Sequence, residues 1–210
     1  MTLESSKTLG GVGAILVVIG FLGFFGYAYA GLLVIIGAIL TLIALKGLSD
    51  HYNEGGIFNN ALYGIITAII GGVVSIAVVV MTVLAAISEL GIEDWNEWMM
   101  QAQQNIIDWN AFWPLIEPMI VGLVAALVAL FVFFIISALF FRKSLSKLST
   151  KSGEKIFETA GLLWLIGAIL TIILVGFILI LIAWILIAIG FFSIKATTAQ
   201  PPATVPLPPP

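Results

Sequence analysis

The chain contains no cysteine, which excludes a disulfide framework and any thiolate metal site. It contains one histidine, His51. Metal catalysis draws on clustered histidines and carboxylates, and a Ser/His/Asp relay needs a histidine beside its nucleophile. Here the single imidazole stands in a polar stretch between apolar runs. No H-E-x-x-H pattern occurs, and no glycine-rich phosphate loop stands in a strand-to-helix context. Charge is scarce too. Only 9% of the 210 residues are charged, against about 25% in soluble domains. The long apolar runs contain no aspartate, so a paired-aspartate intramembrane protease is excluded. Ser144-x-x-Lys147 and Ser152-x-x-Lys155 match a nucleophile pattern only because that loop is rich in Ser and Lys. No enzyme is expected, and no catalytic, cofactor-binding or metal-binding residue is assigned.

What fills the chain is apolar sequence: 61% hydrophobic residues and a mean hydropathy of +1.21. The class this implies is an all-α polytopic integral membrane protein. The first apolar run begins at Leu9 and outlasts a signal-peptide core, so no cleaved leader is expected. Charges divide the sequence into four apolar blocks. Leu62–Ser88 and Pro118–Phe141 each suit one span. Lys7–Lys46 and Thr159–Ile194 enclose 38 and 36 uncharged residues, too long for one span each, and read as hairpins. Their turns are placed in "GFFGYAYAG" (Gly23–Gly31) and at Gly176. Six spans result, at about 9–26, 29–46, 61–87, 117–141, 158–175 and 177–194, within one domain covering 1–195. Five spans is the fallback. Small residues at Gly10/Ala14, Gly122/Ala126 and Ala125/Ala129 suit close helix packing. "GAILT" occurs at Gly37–Thr41 and again at Gly167–Thr171, but competing alignments leave only two hairpins of similar composition.

With six spans, all eight basic residues fall on one side: Lys7, Lys46, Arg142, Lys143, Lys147, Lys151, Lys155 and Lys195. The positive-inside rule makes that side cytoplasmic, with both termini inside, in the cell membrane. Five spans would move Lys195 outside. Residues 88–117 then face out with six acids, Glu89, Glu93, Asp94, Glu97, Asp108 and Glu117. Within "GIEDWNEWMMQAQQNIIDWNAFWP", Ile92, Trp95, Met99, Ala102, Ile106, Trp109 and Trp113 share one helical face. Glu93, Glu97, Gln101, Gln104 and Asp108 oppose it. An amphipathic interfacial helix is expected over 92–113, ended by Pro114, with Trp95, Trp98, Trp109 and Trp113 as anchors at headgroup level. The alternative is an acidic lid over a cation path, or a docking surface.

Three other segments are polar. In "RKSLSKLSTKSGEK", Lys143, Lys147, Lys151 and Lys155 recur every fourth residue and would form one cationic stripe if helical. Ordinary positive-inside topology is the plainer reading. In Lys46–Gly64, Asn59 and Asn60 suit a helix N-cap, and His51 beside Asp50 is a candidate functional pair. A solvated loop histidine is the plainer reading. The tail over 196–210, "TTAQPPATVPLPPP" after Ala196, is proline-rich and expected to be extended.

"ALKGLSDHYNEGGIFNNALYG", together with "TAGLLWLIGAILTIILVGFILILIAWILIAIGFFSIK", resembles an archaeal multi-pass membrane family known as domain of unknown function 996. The resemblance spans about residues 5–195 and leaves out the proline tail. It implies an integral membrane protein of archaeal type and carries over no catalytic residue. The expected function is a non-enzymatic structural or accessory membrane subunit, packing in the bilayer with itself or a partner membrane protein, with no nucleic-acid partner. The alternative is a small channel or permease for an uncharged or cationic solute. The spans contribute only hydroxyls to such a path, at Thr41, Thr67, Ser75, Thr82, Ser137 and Thr171.

Overall fold

A computed structural model describes residues 1–23, 29–89, 100 and 109–195. Among the described residues these α-helices follow one another: α1 (Leu3–Gly23), α2 (Ala30–His51), α3 (Gly55–Glu89), α4 (Trp109–Ser152), α5 (Ile156–Leu170) and α6 (Val175–Ser193). A 3-10 turn, Thr171–Ile173, links the last two, and no strand occurs among the described residues. The architecture is all-α and polytopic: six helices are long and apolar enough to cross a membrane. Helix is the form such sequence must take in hydrocarbon, because every backbone N–H and C=O has to be satisfied within the segment.

The helices divide into two compact units. The first comprises Met1–Phe58, Leu145–Ala160 and Leu181–Pro210. Its α1 and α2 lie against each other through small residues. A Cβ on Gly13 would stand 2.7 Å from the Gly37 carbonyl oxygen, and one on Gly37 would stand 2.8 Å from the Val17 nitrogen. Lipid tails are as apolar as leucine, so helices gain little from mere hydrophobicity here, and close backbone approach supplies the dispersion contact instead. Thr41 is buried at this seam, and its hydroxyl donates to the Gly37 carbonyl at 2.9 Å. Elsewhere in this unit the Phe157 and Phe191 rings meet edge to face at 5.4 Å, with Gly190 leaving room for Phe157.

The second unit comprises Asn59–Ser144 and Gly161–Ile180. Within it α3 and α4 run antiparallel. Gly64 faces Phe141, Gly71 faces Phe133, and Gly122 faces Thr82. The buried Ser75 hydroxyl donates across the pair to the Ala126 carbonyl at 3.0 Å. Phe141 also stacks on Trp164 of α5, with centroids 5.3 Å apart.

Three sequence expectations shift. The last turn is not at Gly176. It lies at Thr171–Leu174, where Leu174 takes a left-handed φ of 63°, and Val175 and Gly176 belong to α6. Gly176 is instead a contact residue, since a Cβ there would collide with the Gly167 carbonyl oxygen. Pro114 does not end a helix. Residues 109–113 belong to α4, which passes through Pro114 and Pro118. Each proline lacks an N–H and so forgoes one backbone bond of the helix. The third concerns helix ends: α2 and α3 outrun their apolar spans, reducing the loop between them to Tyr52–Glu54. Residues 24–28 of the first turn, 92–99 and 101–108 of the expected interfacial helix, and 196–210 of the tail lie outside the described residues.

Candidate functional site

The polar chemistry of the first unit collects where α2 ends, α3 begins and α4 ends. The short loop is fixed by one serine. Ser49, itself buried, accepts from the Glu54 N–H at 3.0 Å through its carbonyl and donates its hydroxyl to the Glu54 carbonyl at 2.9 Å. Asn53 takes the positive φ of 49° that this tight turn requires, a conformation asparagine tolerates better than most residues.

Held this way, Glu54 becomes a hub. Its Oε1 accepts from the Gly56 N–H at 3.3 Å, capping the first turn of α3. The same oxygen accepts from Lys147 Nζ at 2.9 Å, and Oε2 stands 3.8 Å from Lys151 Nζ. Lys147 packs over Gly56, where an added Cβ would lie 2.6 Å from its Cδ and Cε and make it shift. The hydrogen bond from Lys147 and its positive charge hold the Glu54 carboxyl below the usual value of 4.5, helped by the Gly56 N–H and Lys151. Such a carboxylate stays anionic at neutral pH and is a poor general base. Beside it, burial first and the charge of Glu154 second push the Tyr52 phenol above its usual 10.0.

The sequence-selected residues divide around this hub. Asp50 pairs with Lys46 at 2.6 Å, both exposed, rather than with His51. His51 is exposed and meets Tyr52 ring edge to face at 5.0 Å. Asn59 and Asn60 are not the cap of α3. That helix starts four residues earlier, and both lie in its second turn. Lys143, Lys147 and Lys151 share α4 at four-residue spacing, whereas Lys155 lies past its end in the turn before α5. Gly153 closes α4 with φ 77° and donates back to the Ser149 carbonyl at 2.9 Å. Of the four tryptophans, Trp95 and Trp98 lie outside the described residues, as does the side chain of Trp109, and Trp113 is exposed on α4. Sequence reasoning passed over Glu54. The available signal was an acid directly before Gly55-Gly56, at a helix start where the dipole favours an anion.

Among the described residues, no three His, Cys, Asp or Glu side chains gather to hold a metal ion. The span hydroxyls of Thr41 and Thr82 donate to carbonyls of their own helices at 2.9 and 2.8 Å, that of Thr171 donates back to Ala168 of α5 at 2.7 Å, and Ser75 donates to Ala126.

The chain belongs to the family described as "Protein of unknown function (DUF996)", which matches residues 33–185. The match takes in Glu54, Lys147 and Lys151. The chain is also similar to the uncharacterised protein MJ1644 of Methanocaldococcus jannaschii, at 32% identity over 197 residues, covering 92% of this chain and 94% of that protein. No solved structure matches it.

Proposed function

We propose that this chain is a non-enzymatic membrane subunit that works by packing its spans against a second copy or a partner membrane protein. One observation carries this reading. The α3–α4 pair leaves most of its apolar surface uncovered, and on α3 that surface includes a small-residue notch. Only 11% of the most apolar stretch of α3 and 6% of that of α4 are buried, against 33–44% in the other four helices. At Gly72 an added Cβ would meet nothing within 4 Å, and Ala68 one turn earlier is exposed. Elsewhere in the chain small residues of this kind receive a neighbouring helix, as Gly13 receives Gly37. In the proposed orientation both termini, the Glu54 hub and the α4–α5 turn are cytoplasmic, and residues 88–117 face out.

The absence of cysteine makes the test clean. Ala68→Cys, oxidised in native membranes, should give a cross-linked band on a non-reducing gel, absent when exposed Ile70, on the opposite face of α3, carries the cysteine with Ala68 restored. The intact assembly in mild detergent should weigh more than one chain. A monomeric mass together with no cross-link from Ala68→Cys would refute packing as the function. An impermeant maleimide on intact cells should label a cysteine at Ser88 and spare one at exposed Thr150; the reverse would overturn the orientation.

A further inference from the structure

We propose that the polar end of the α3–α4 pair binds the headgroup of an anionic phospholipid, with Lys143, Tyr63 and Asn59 as its ligands. The site lies wholly within the second unit. Two helices bring polar groups to one aromatic ring. Tyr63 of α3 sets its ring against Phe140 of α4, edge to face, at 5.8 Å. Lys143 Nζ stands 5.8 Å from the centroid of the same Phe140 ring. A cation at that distance is attracted by the ring quadrupole, which steadies a long flexible side chain.

Lys143 is also chemically different from the other α4 lysines. Lys7, Lys46, Lys147 and Lys151 each have a carboxylate within 4.0 Å. Among the described residues Lys143 has none, nor does the exposed Arg142 beside it. The positive charge at this spot is therefore not cancelled locally, which selects an anionic ligand over a zwitterionic one. Asn59 is exposed and stands one helical turn before Tyr63, on the same face. Ammonium, phenol and amide together supply the donors a phosphodiester accepts from, and a charge-assisted bond from lysine is the strongest of them.

Continuity with apolar surface makes the ligand a lipid rather than a free anion. From Tyr63, α3 presents Ile66 and Ile70, which are 43% and 47% exposed. From Lys143, α4 presents Leu139 and Ile136, 41% and 38% exposed. Both series follow the three- and four-residue spacing of one helix face, so each polar group heads an apolar rail on which a hydrocarbon chain can lie. The assignment does not depend on which side of the membrane is cytoplasmic.

The test uses the full-length protein in mild detergent, with phosphatidylglycerol and phosphatidylcholine as probes and lipid retention read by mass spectrometry of the intact protein. Wild type should retain phosphatidylglycerol about ten-fold more strongly than phosphatidylcholine, which offers the same phosphodiester but carries a choline ammonium that Lys143 and Arg142 repel. Lys143→Gln should abolish most of that preference. Tyr63→Phe, which keeps the ring and its contact with Phe140, should reduce it several-fold. Lys195→Gln removes an equal charge elsewhere and should leave it intact. Equal retention of the two lipids would overturn the proposal, as would a Lys143→Gln protein with the wild-type preference, or a loss in Lys195→Gln as large as in Lys143→Gln. Displacement of the lipid by millimolar inorganic phosphate would overturn the choice of a lipid.

Discussion

Replacing Gly13 by alanine adds one methyl group where α1 meets α2, and the surroundings leave it no room. The new Cβ would stand 2.7 Å from the Gly37 carbonyl oxygen and 2.8 Å from both the nitrogen and the hydroxyl of Thr41. Two of those atoms are backbone in the middle of a helix, so relief requires the helices to part. The hydroxyl is committed to the Gly37 carbonyl at 2.9 Å, so it cannot turn away without losing that bond. Overpacking of this kind costs about 1–3 kcal/mol. The opposing gain in helix propensity, about 1 kcal/mol in water, shrinks in a detergent where the unfolded chain remains largely helical. The expected result is a net loss of about 1–3 kcal/mol, seen as a lower midpoint when the purified protein is titrated with sodium dodecyl sulfate and followed by near-ultraviolet circular dichroism. Gly72→Ala is the matched control on α3, where an added Cβ would meet nothing within 4 Å. It should shift the monomer's midpoint by less than about 0.5 kcal/mol or raise it slightly. An unchanged midpoint in Gly13→Ala, or an equal fall in both variants, would refute the close-contact account of the α1–α2 seam.

Glu54→Gln should lower stability at neutral pH. Because Lys147 holds the folded-state pKa of Glu54 below 4.5, its contribution is present above that value and lost as pH falls through the folded pKa. The wild-type and variant midpoints should therefore converge in acid, and a gap that persists or widens there would exclude the ion pair as its source. At the last turn, neighbouring substitutions should act with opposite signs. Gly176→Ala should cost about 1–3 kcal/mol by collision with the Gly167 carbonyl. Leu174→Gly, which relieves a left-handed leucine that is 72% exposed, should be neutral or stabilising by up to about 1 kcal/mol. Thermal unfolding in detergent reads both, and a stability loss in Leu174→Gly equal to that in Gly176→Ala would contradict the observed turn.

How much of this was legible in the sequence depended on which physical signal each residue carries. Length and apolarity are additive along the chain, so six helices could be counted without knowing any contact. Faces were different. When Leu3–Gly23 or Val175–Ser193 is apolar nearly all round, periodicity cannot say which side meets protein and which meets lipid. Residue size takes over that task, and glycine then has two meanings. Gly176 looked like the breaker in "LTIILVGFILIL", yet it is there to let α6 approach Gly167, and the chain turns through Leu174 instead. The same ambiguity hid the start of α3. Asn59-Asn60 resembled a cap, although α3 already begins at Gly55.

What stabilises that unlikely start is the hub, and this links the candidate site to the fold. Two glycines lose much backbone entropy on ordering, and the contacts of Glu54 help to fix the start of α3 at them. Ser49 fixes the Glu54 backbone from the α2 side, and the Glu54 carboxylate then binds the Gly56 N–H and Lys147 together. A Cβ at the second glycine would stand 2.6 Å from the Lys147 methylenes, so a side chain there would make Lys147 shift from its present position. The helix start and the lysine thus meet on one carboxylate. Lys147 and Lys151 are drawn to Glu54 for a structural reason, while Lys143, one turn earlier on the same helix, has no carboxylate within reach among the described residues. A lysine repeat that reads as a uniform stripe in sequence is therefore divided in the fold: Lys147 and Lys151 stand beside Glu54, Lys143 stands by the Phe140 ring, and Lys155 lies beyond the end of α4.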